Sequence, residues 1–195
     1  MDEETVLKSK FKGINGVVLR LDSSGEKRYI KITNEFDVRI AAPAGLSNKG
    51  HQNLAFMGNT LPIPKSVRAT WREGAHSVWG KDGGIDWEGG AIRGDYTIPV
   101  ASRIPDEVLD YVRARRRPER VAGRTLRIKI RLMDDGVLLG WDVEESVWNP
   151  DRRDGQFLRY QMAGGDFKEA KIYNGKVADR GWHISREGKK IETDY

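Results

Sequence analysis

TLRIKIRLMDDGVLLGWDVEE, residues Thr125 to Glu145, alternates in two arms. In the first arm Leu126, Ile128, Ile130 and Leu132 take one side, and Arg127, Lys129 and Arg131 take the other. A period of two is the pattern of a strand with one dry face and one wet face. The second arm repeats it with Val137, Leu139, Trp141 and Val143. Between them lies Asp135-Gly136, a pair suited to the positive φ values of a tight hairpin turn. Closing the turn on those two residues sets Leu132 against Leu139, Ile130 against Trp141 and Ile128 against Val143. The same register brings Lys129 to Asp142 and Arg127 to Glu144, so both faces are chemically matched. A three-residue turn with a bulge at Gly136 is the alternative closure.

On the N-terminal side, residues 1–12 are charged and read as a flexible N-terminus, with 13–195 as one β-rich domain. Val17 to Leu21, Tyr29 to Thr33 and Phe36 to Ile40 read as a meander of strands. Residues 41–60, rich in Gly, Asn and Pro, read as a long loop. Val67, Ala69 and Trp71 share one side of the next strand. Residues 73–90, EGAHSVWGKDGGIDWEGG, read as a flexible glycine-rich stretch holding Trp79 and Trp87. A strand then resumes from Ala91 to Val100, with Ile92, Tyr96, Ile98 and Val100 on one side.

A helix is expected over about 105–117. Pro105 opens it, Asp106 and Glu107 sit at its positive dipole end, and Val108, Leu109, Tyr111 and Val112 form its apolar stripe. Beyond the central hairpin, Phe157 to Met162 and Phe167 to Tyr173 read as strands. Asn174-Gly175 is a strong hairpin turn, and a last small hairpin folds around Glu187-Gly188. The total is roughly nine or ten short strands and one helix. That pattern predicts a mainly β protein: an antiparallel β-sandwich or an open barrel.

The 195 residues carry a formal charge of +5, 22 glycines and six tryptophans. Cations and acids are mixed along the chain, so no nucleic-acid surface is demanded. The chain has no cysteine, which removes disulfides, thiolate chemistry and cysteine metal sites. No apolar run reaches the roughly 18 residues of a membrane-spanning helix. The start, MDEETVLKSK, has no apolar signal core.

Chemistry-bearing motifs are scarce. His51, His76 and His183 stand on separate segments and read as ordinary histidines rather than a metal centre. No cofactor or metal is expected. Asp82, Asp86 and Glu88 cluster beside Trp79 and Trp87. Paired carboxylates with tryptophan platforms would suit a glycan-cleaving site, but the separation of the acids decides such chemistry. Acids on a solvated loop are the simpler reading. Gly83-Gly84 and Gly89-Gly90 precede a strand, not a helix N-terminus, so they make no phosphate cradle. The run RARRRPER includes Arg115, Arg116 and Arg117. It reads first as a cation-dressed helix end and second as a surface for an acidic partner. Trp71 and Trp141 read as core; Trp79 and Trp87 are candidate interface anchors.

LPIPKSVRATW (61–71), GDYTIPVASRIPDEVL (94–109), LRIKIRLMDDGVLLGWDVE (126–144), GGDFKEAKIYNGK and GWHIS together resemble a group of bacterial proteins, often lipoproteins. Some members of that group are encoded beside type VI secretion effectors as immunity or accessory proteins. The likeness covers about two thirds of the chain, and its motifs are structural. The resemblance implies a non-catalytic immunity protein that binds and inhibits a toxic effector such as a phospholipase. It also implies a periplasmic location, with a signal and lipid-anchor segment removed and membrane association only through that anchor. The absence of cysteine fits a cytoplasmic relative equally well. On this reading the partner-binding residues are Trp79, Asp82, Asp86, Trp87, Glu88, Arg115, Arg116 and Arg117. The alternative is a carbohydrate- or cell-wall-binding module, or a glycan-cleaving one, built on the same tryptophan–carboxylate cluster.

Overall fold

The computed structural model describes residues 6, 8, 10–14, 17–47, 51–56, 63–114, 121–148 and 156–195. Its strands in the N-terminal half are β1 (Val17–Ser23), β2 (Lys27–Arg28), β3 (Lys31–Asn34), β4 (Arg39–Ala41), β5 (Gly45–Leu46) and β6 (His51–Phe56). The middle holds β7 (Ser66–Glu73), β8 (His76–Trp79), β9 (Ile85–Glu88), β10 (Ala91–Pro99) and the helix α1 (Asp106–Arg113). Then come the long pair β11 (Val121–Met133) and β12 (Gly136–Trp148), followed by β13 (Gln156–Gly165) and β14 (Phe167–Lys168). The chain closes with β15 (Lys171–Tyr173), β16 (Lys176–Asp179), β17 (Gly181–Ile184) and β18 (Lys190–Thr193).

The architecture is mainly β and sandwich-like, with no closed barrel among the described residues. One sheet runs β13-β12-β11-β1-β6 and a second runs β10-β7-β3-β4. A single core joins them: Leu19, Leu21, Ile128, Ile130 and Leu139 from the first, Ile32, Val67, Ala69 and Trp71 from the second. Full burial of each such aliphatic side chain contributes roughly 1.5–3 kcal/mol. The helix α1 adds Val108 and Leu109 to that core, with Tyr111 and Val112 packed against it. Pro105 is its extended N-cap, and Asp106 and Glu107 occupy its first turn. Its described end is Arg113, capped by Ala114. Lys10, at the inner end of the N-terminal stretch, is anchored by its Nζ to the Ile104 carbonyl at 2.7 Å.

The central hairpin forms, but in a register two residues away from the expected one. Leu132 faces Val137, Ile130 faces Leu139, Ile128 faces Trp141 and Leu126 faces Val143. Arg127, not Lys129, lies directly opposite Asp142. The turn uses Asp134 and Asp135, and neither they nor Gly136 has positive φ. A shift of two leaves every side chain on its face, because the side-chain period is two. That is why the inward and outward sets were right although the pairs were not.

Three further differences come from long-range pairing. β1 does not begin a meander: it pairs in parallel with β11 and antiparallel with β6. Thus β6, inside the stretch read as a loop, is an edge strand. Only β3 and β4 of the expected meander pair with each other. The stretch Phe167 to Tyr173 is two strands in different small sheets, β14 with β17 and β15 with β16. In β10 a bulge between Ile92 and Gly94 breaks the alternation, leaving Ile92 exposed while Tyr96 and Ile98 pack on the core. Gly94 is required there because a Cβ would enter the Trp71 ring.

The outer face of the central sheet departs furthest from expectation, because it is not wet. Arg127, Lys129, Arg131, Asp22 and Asp142 are all buried. The C-terminal segment covers them: Phe167 and Tyr195 sandwich the Arg131 guanidinium at 4.1 and 4.7 Å. Gly140 admits the Phe167 ring, which would lie 3.0 Å from a Cβ at that position. Arg131 is bidentate to Asp22 at 2.8 and 2.9 Å. Arg127 is bidentate to Asp142 at 2.7 Å, and Lys129 reaches the same carboxylate at 3.0 Å. Each buried ion costs several kcal/mol of desolvation, which the bidentate pairs and the rings against Arg131 offset, Arg131 Nη1 being left without a hydrogen-bond partner among the described residues. The cover is pinned by Asp166, which accepts two bonds from Arg103 at 2.5 and 2.9 Å and one from the Leu139 N–H at 2.9 Å.

Candidate functional site

Residues 76–88 are an ordered hairpin, not a flexible loop. β8 and β9 pair His76 with Glu88, Ser77 with Trp87, Val78 with Asp86 and Trp79 with Ile85. The five residues between the strands close on themselves, the Gly80 N–H donating to the Gly84 carbonyl at 2.7 Å. Gly83 supplies the positive φ of 80° that the turn requires. Alternation within the hairpin puts Ser77, Trp79, Ile85 and Trp87 on one face and His76, Val78, Asp86 and Glu88 on the other.

Two of the five predicted site residues in the described regions turn inward to hold the hairpin: Trp87 donates its Nε1–H to the Ala42 carbonyl at 3.1 Å and meets Tyr29 edge-on at 5.3 Å, while Asp86 accepts from Lys31 Nζ at 2.6 Å and from the Trp87 N–H at 2.8 Å. Burial pushes the Asp86 carboxyl up. The bond from Lys31, the Trp87 N–H and the charges of Lys31 and Arg39 outweigh that and hold it below the usual carboxylate range. Asp82 pairs with Arg39 Nη2 at 2.5 Å, and Arg39 Nη1 donates to the Ile85 carbonyl. The Arg39 guanidinium lies so close beneath Gly84 that a Cβ there would strike it.

Trp79 behaves differently. It is 82% exposed at the end of β8, opposite the exposed Ile85. Glu88 is exposed at the far end of the hairpin. Arg115, Arg116 and Arg117 lie outside the described residues; their neighbour Arg113 bonds to the Lys10 and Lys12 carbonyls and to Asp110.

Sequence reasoning missed Arg39, Lys31 and Tyr29, which mount the hairpin on the body. It also missed Phe36 and Val38, both exposed in the turn that leads into β4. That turn is built by Asn34, whose Oδ1 accepts from the Phe36 and Val38 N–H groups at 3.0 and 2.9 Å. Arg39 thereby ties together two hairpins, each of which exposes apolar side chains. No local pattern signals this, because the ties span 43 to 55 positions along the chain.

A glycan-cleaving reading requires a carboxylic acid held protonated, with its pKa raised. Asp86 is shifted the opposite way, and Asp82 is occupied by Arg39. Among the described residues no group of His, Asp and Glu is arranged to hold a metal ion. His76 is exposed and His183 half-buried on separate strands; the His51 side chain lies outside the described residues. No helix of the described residues is long and apolar enough to cross a membrane. Compared with models of known protein families, with curated proteins and with solved structures, the chain matches none.

Proposed function

We propose that this protein works by binding another protein through the β8–β9 hairpin, with Trp79 as the anchor. The observation that carries the reading is an indole 82% exposed on a hairpin whose turn is held by Arg39 and whose second strand is held by Lys31 and the Trp87 indole bond. An exposed tryptophan on a rigid mount loses little conformational entropy on binding and buries a large area, which is how interface anchors work. Asp82 and Asp86 are engaged in mounting the hairpin, which suits positioning rather than acid–base chemistry. The resemblance to immunity proteins supports the narrower reading: a non-catalytic inhibitor of a toxic effector, acting in the periplasm.

The test is binding to, and protection against, the product of the gene that neighbours this one. Wild type should bind and protect cells, and Trp79→Ala should weaken binding by about thirtyfold or more, the range of a hot-spot residue. Equal binding by Trp79→Ala would remove the anchor. A second reading, glycan binding, draws on the same exposed indole as a stacking platform. Glycan-array retention lost in Trp79→Ala, with no effector binding, would select it.

A further inference from the structure

The β15–β16 hairpin presents an exposed surface of a different kind. Asn174 and Gly175 close it with φ values of 49° and 72°, and it pairs Tyr173 with Lys176 and Ile172 with Val177. Every residue from Lys171 to Arg180 is exposed, so both faces of the ribbon meet solvent. Three of them are apolar and large: Ile172, Val177 and Tyr173, the last 72% exposed. Lys168 pairs with Asp179 at 2.7 Å, whereas Lys171 and Lys176 form no ion pair among the described residues.

At the root of the hairpin is a cleft of about 550 Å³, lined by Arg20, Arg127, Glu169, Lys171, Ile172 and Tyr173 among others. Its one carboxylate, Glu169, is already turned onto cations, with Arg20 at 3.0 Å, Lys129 at 3.5 Å and Arg127 at 3.9 Å. The exposed Lys171 stands at this cleft, beside the exposed Ile172 and Tyr173.

We propose that this hairpin docks on an anionic phospholipid surface. Lys171 and Lys176 meet the headgroup phosphates, with Arg20 behind them in the cleft. Ile172 and Val177 enter the interfacial zone, and the Tyr173 ring sits at headgroup level, where an amphipathic aromatic is most favourable. The interfacial zone of a bilayer surrounds an inserted finger, which matches exposure on both faces. Basic residues add attraction to an anionic leaflet that falls off within a Debye length, so binding should weaken with salt.

The test is co-sedimentation of the full chain with mixed phosphatidylserine–phosphatidylcholine vesicles and with phosphatidylcholine alone. Wild type should bind the anionic vesicles at low salt and lose them at high salt. The double variant Lys171→Glu/Lys176→Glu should bind at least about thirtyfold more weakly, the loss of two surface cations alone accounting for that factor. Ile172→Ser/Tyr173→Ser should also lose binding, with an unchanged thermal midpoint because both side chains lie outside the core. Should either pair melt early, the single variants Lys176→Glu and Ile172→Ser replace it. Trp79→Ala should bind vesicles like wild type, separating this surface from the β8–β9 hairpin. Failure of wild type to bind, equal binding to phosphatidylcholine alone, or wild-type binding by both double variants would overturn the proposal. So would binding of inorganic phosphate without vesicles, which would leave a free-phosphate site, or retention on polyglutamate without vesicles, which would indicate an acidic protein.

Discussion

Asp142→Asn should be among the most damaging single-atom changes available in this protein. Asp142 is 3% exposed and accepts three bonds from two cations that are themselves buried, Arg127 and Lys129. The amide keeps the shape but removes the charge and turns an acceptor into a donor facing Arg127 or Lys129. Two cations then share a buried space in which Glu169 and Glu144 are more distant carboxylates, the nearer contact being 3.5 Å from Lys129 to Glu169. Breaking a buried pair in this way costs about 3–5 kcal/mol. For a domain of this size each kcal/mol shifts the midpoint by roughly 2–4 °C, so a fall of about 6–20 °C is expected. Urea denaturation followed by tryptophan fluorescence, alongside a thermal melt, measures it. The comparison variant is Arg127→Met/Asp142→Leu, which removes charge and countercharge together. It should lose less than Asp142→Asn, because apolar replacement of a buried pair is often neutral. A loss below about 1 kcal/mol for Asp142→Asn would refute the view that this carboxylate compensates the buried cations, since that view predicts the full cost of an unpaired buried charge. Acid gives the same reasoning a second readout. Burial pushes the Asp142 carboxyl up, but bonds from Arg127 and Lys129 and their charges outweigh it and hold it below the usual range. A depressed folded value means the contribution is whole above the unfolded value near 3.9 and is lost as pH falls through the folded one. Wild type should therefore lose stability more steeply than Asp142→Asn below about pH 4.

The other expectations follow from single contacts. Trp79→Ala should leave stability within about 0.5 kcal/mol of wild type, as exposed positions do, while reducing partner binding; equal loss of both would mean the indole is structural. Gly165→Ala should destabilise by about 2 kcal/mol or more, since Gly165 has φ of 98° and a Cβ would overlap the Leu139 carbonyl; an unchanged urea midpoint would contradict that geometry. His183 should titrate below its ordinary value, because burial and then the charge of Arg131 disfavour its protonation while Asp135 opposes them. The neutral form is the stabilising one, so stability should fall as pH drops from about 6.5, and His183→Gln should flatten that slope. Titration of the His183 ring by NMR with a midpoint above the ordinary value would reverse the sign.

Much of the local structure was readable because it is written in short-range chemistry. Asn174-Gly175 turned as expected, since those two residues accept positive φ at little cost. Pro105, Asp106 and Glu107 opened the helix, and Val67, Ala69 and Trp71 faced inward together. The central turn misled because Asp135-Gly136 carries the same signal as Asn174-Gly175, while pairing along thirteen-residue arms chose the register instead. The 73–90 stretch looked loose because six glycines outweigh two four-residue strands in any local count. Its order comes from Arg39, Lys31 and Ala42, none of which is near it in the chain.

By itself, the sequence determined the strands with clear alternation, the apolar face of the central hairpin and of β7, and the helix opened by Pro105, because alternation and turn chemistry act over a few residues. Tertiary structure alone decided that β1 runs parallel to β11, that the cationic face of the central sheet lies under Phe167 and Tyr195, and that Trp87 anchors while Trp79 projects. These outcomes depend on which distant surfaces meet, and the free energy of burying a charge or an indole is set by the neighbours that arrive, not by the residues beside it in the chain.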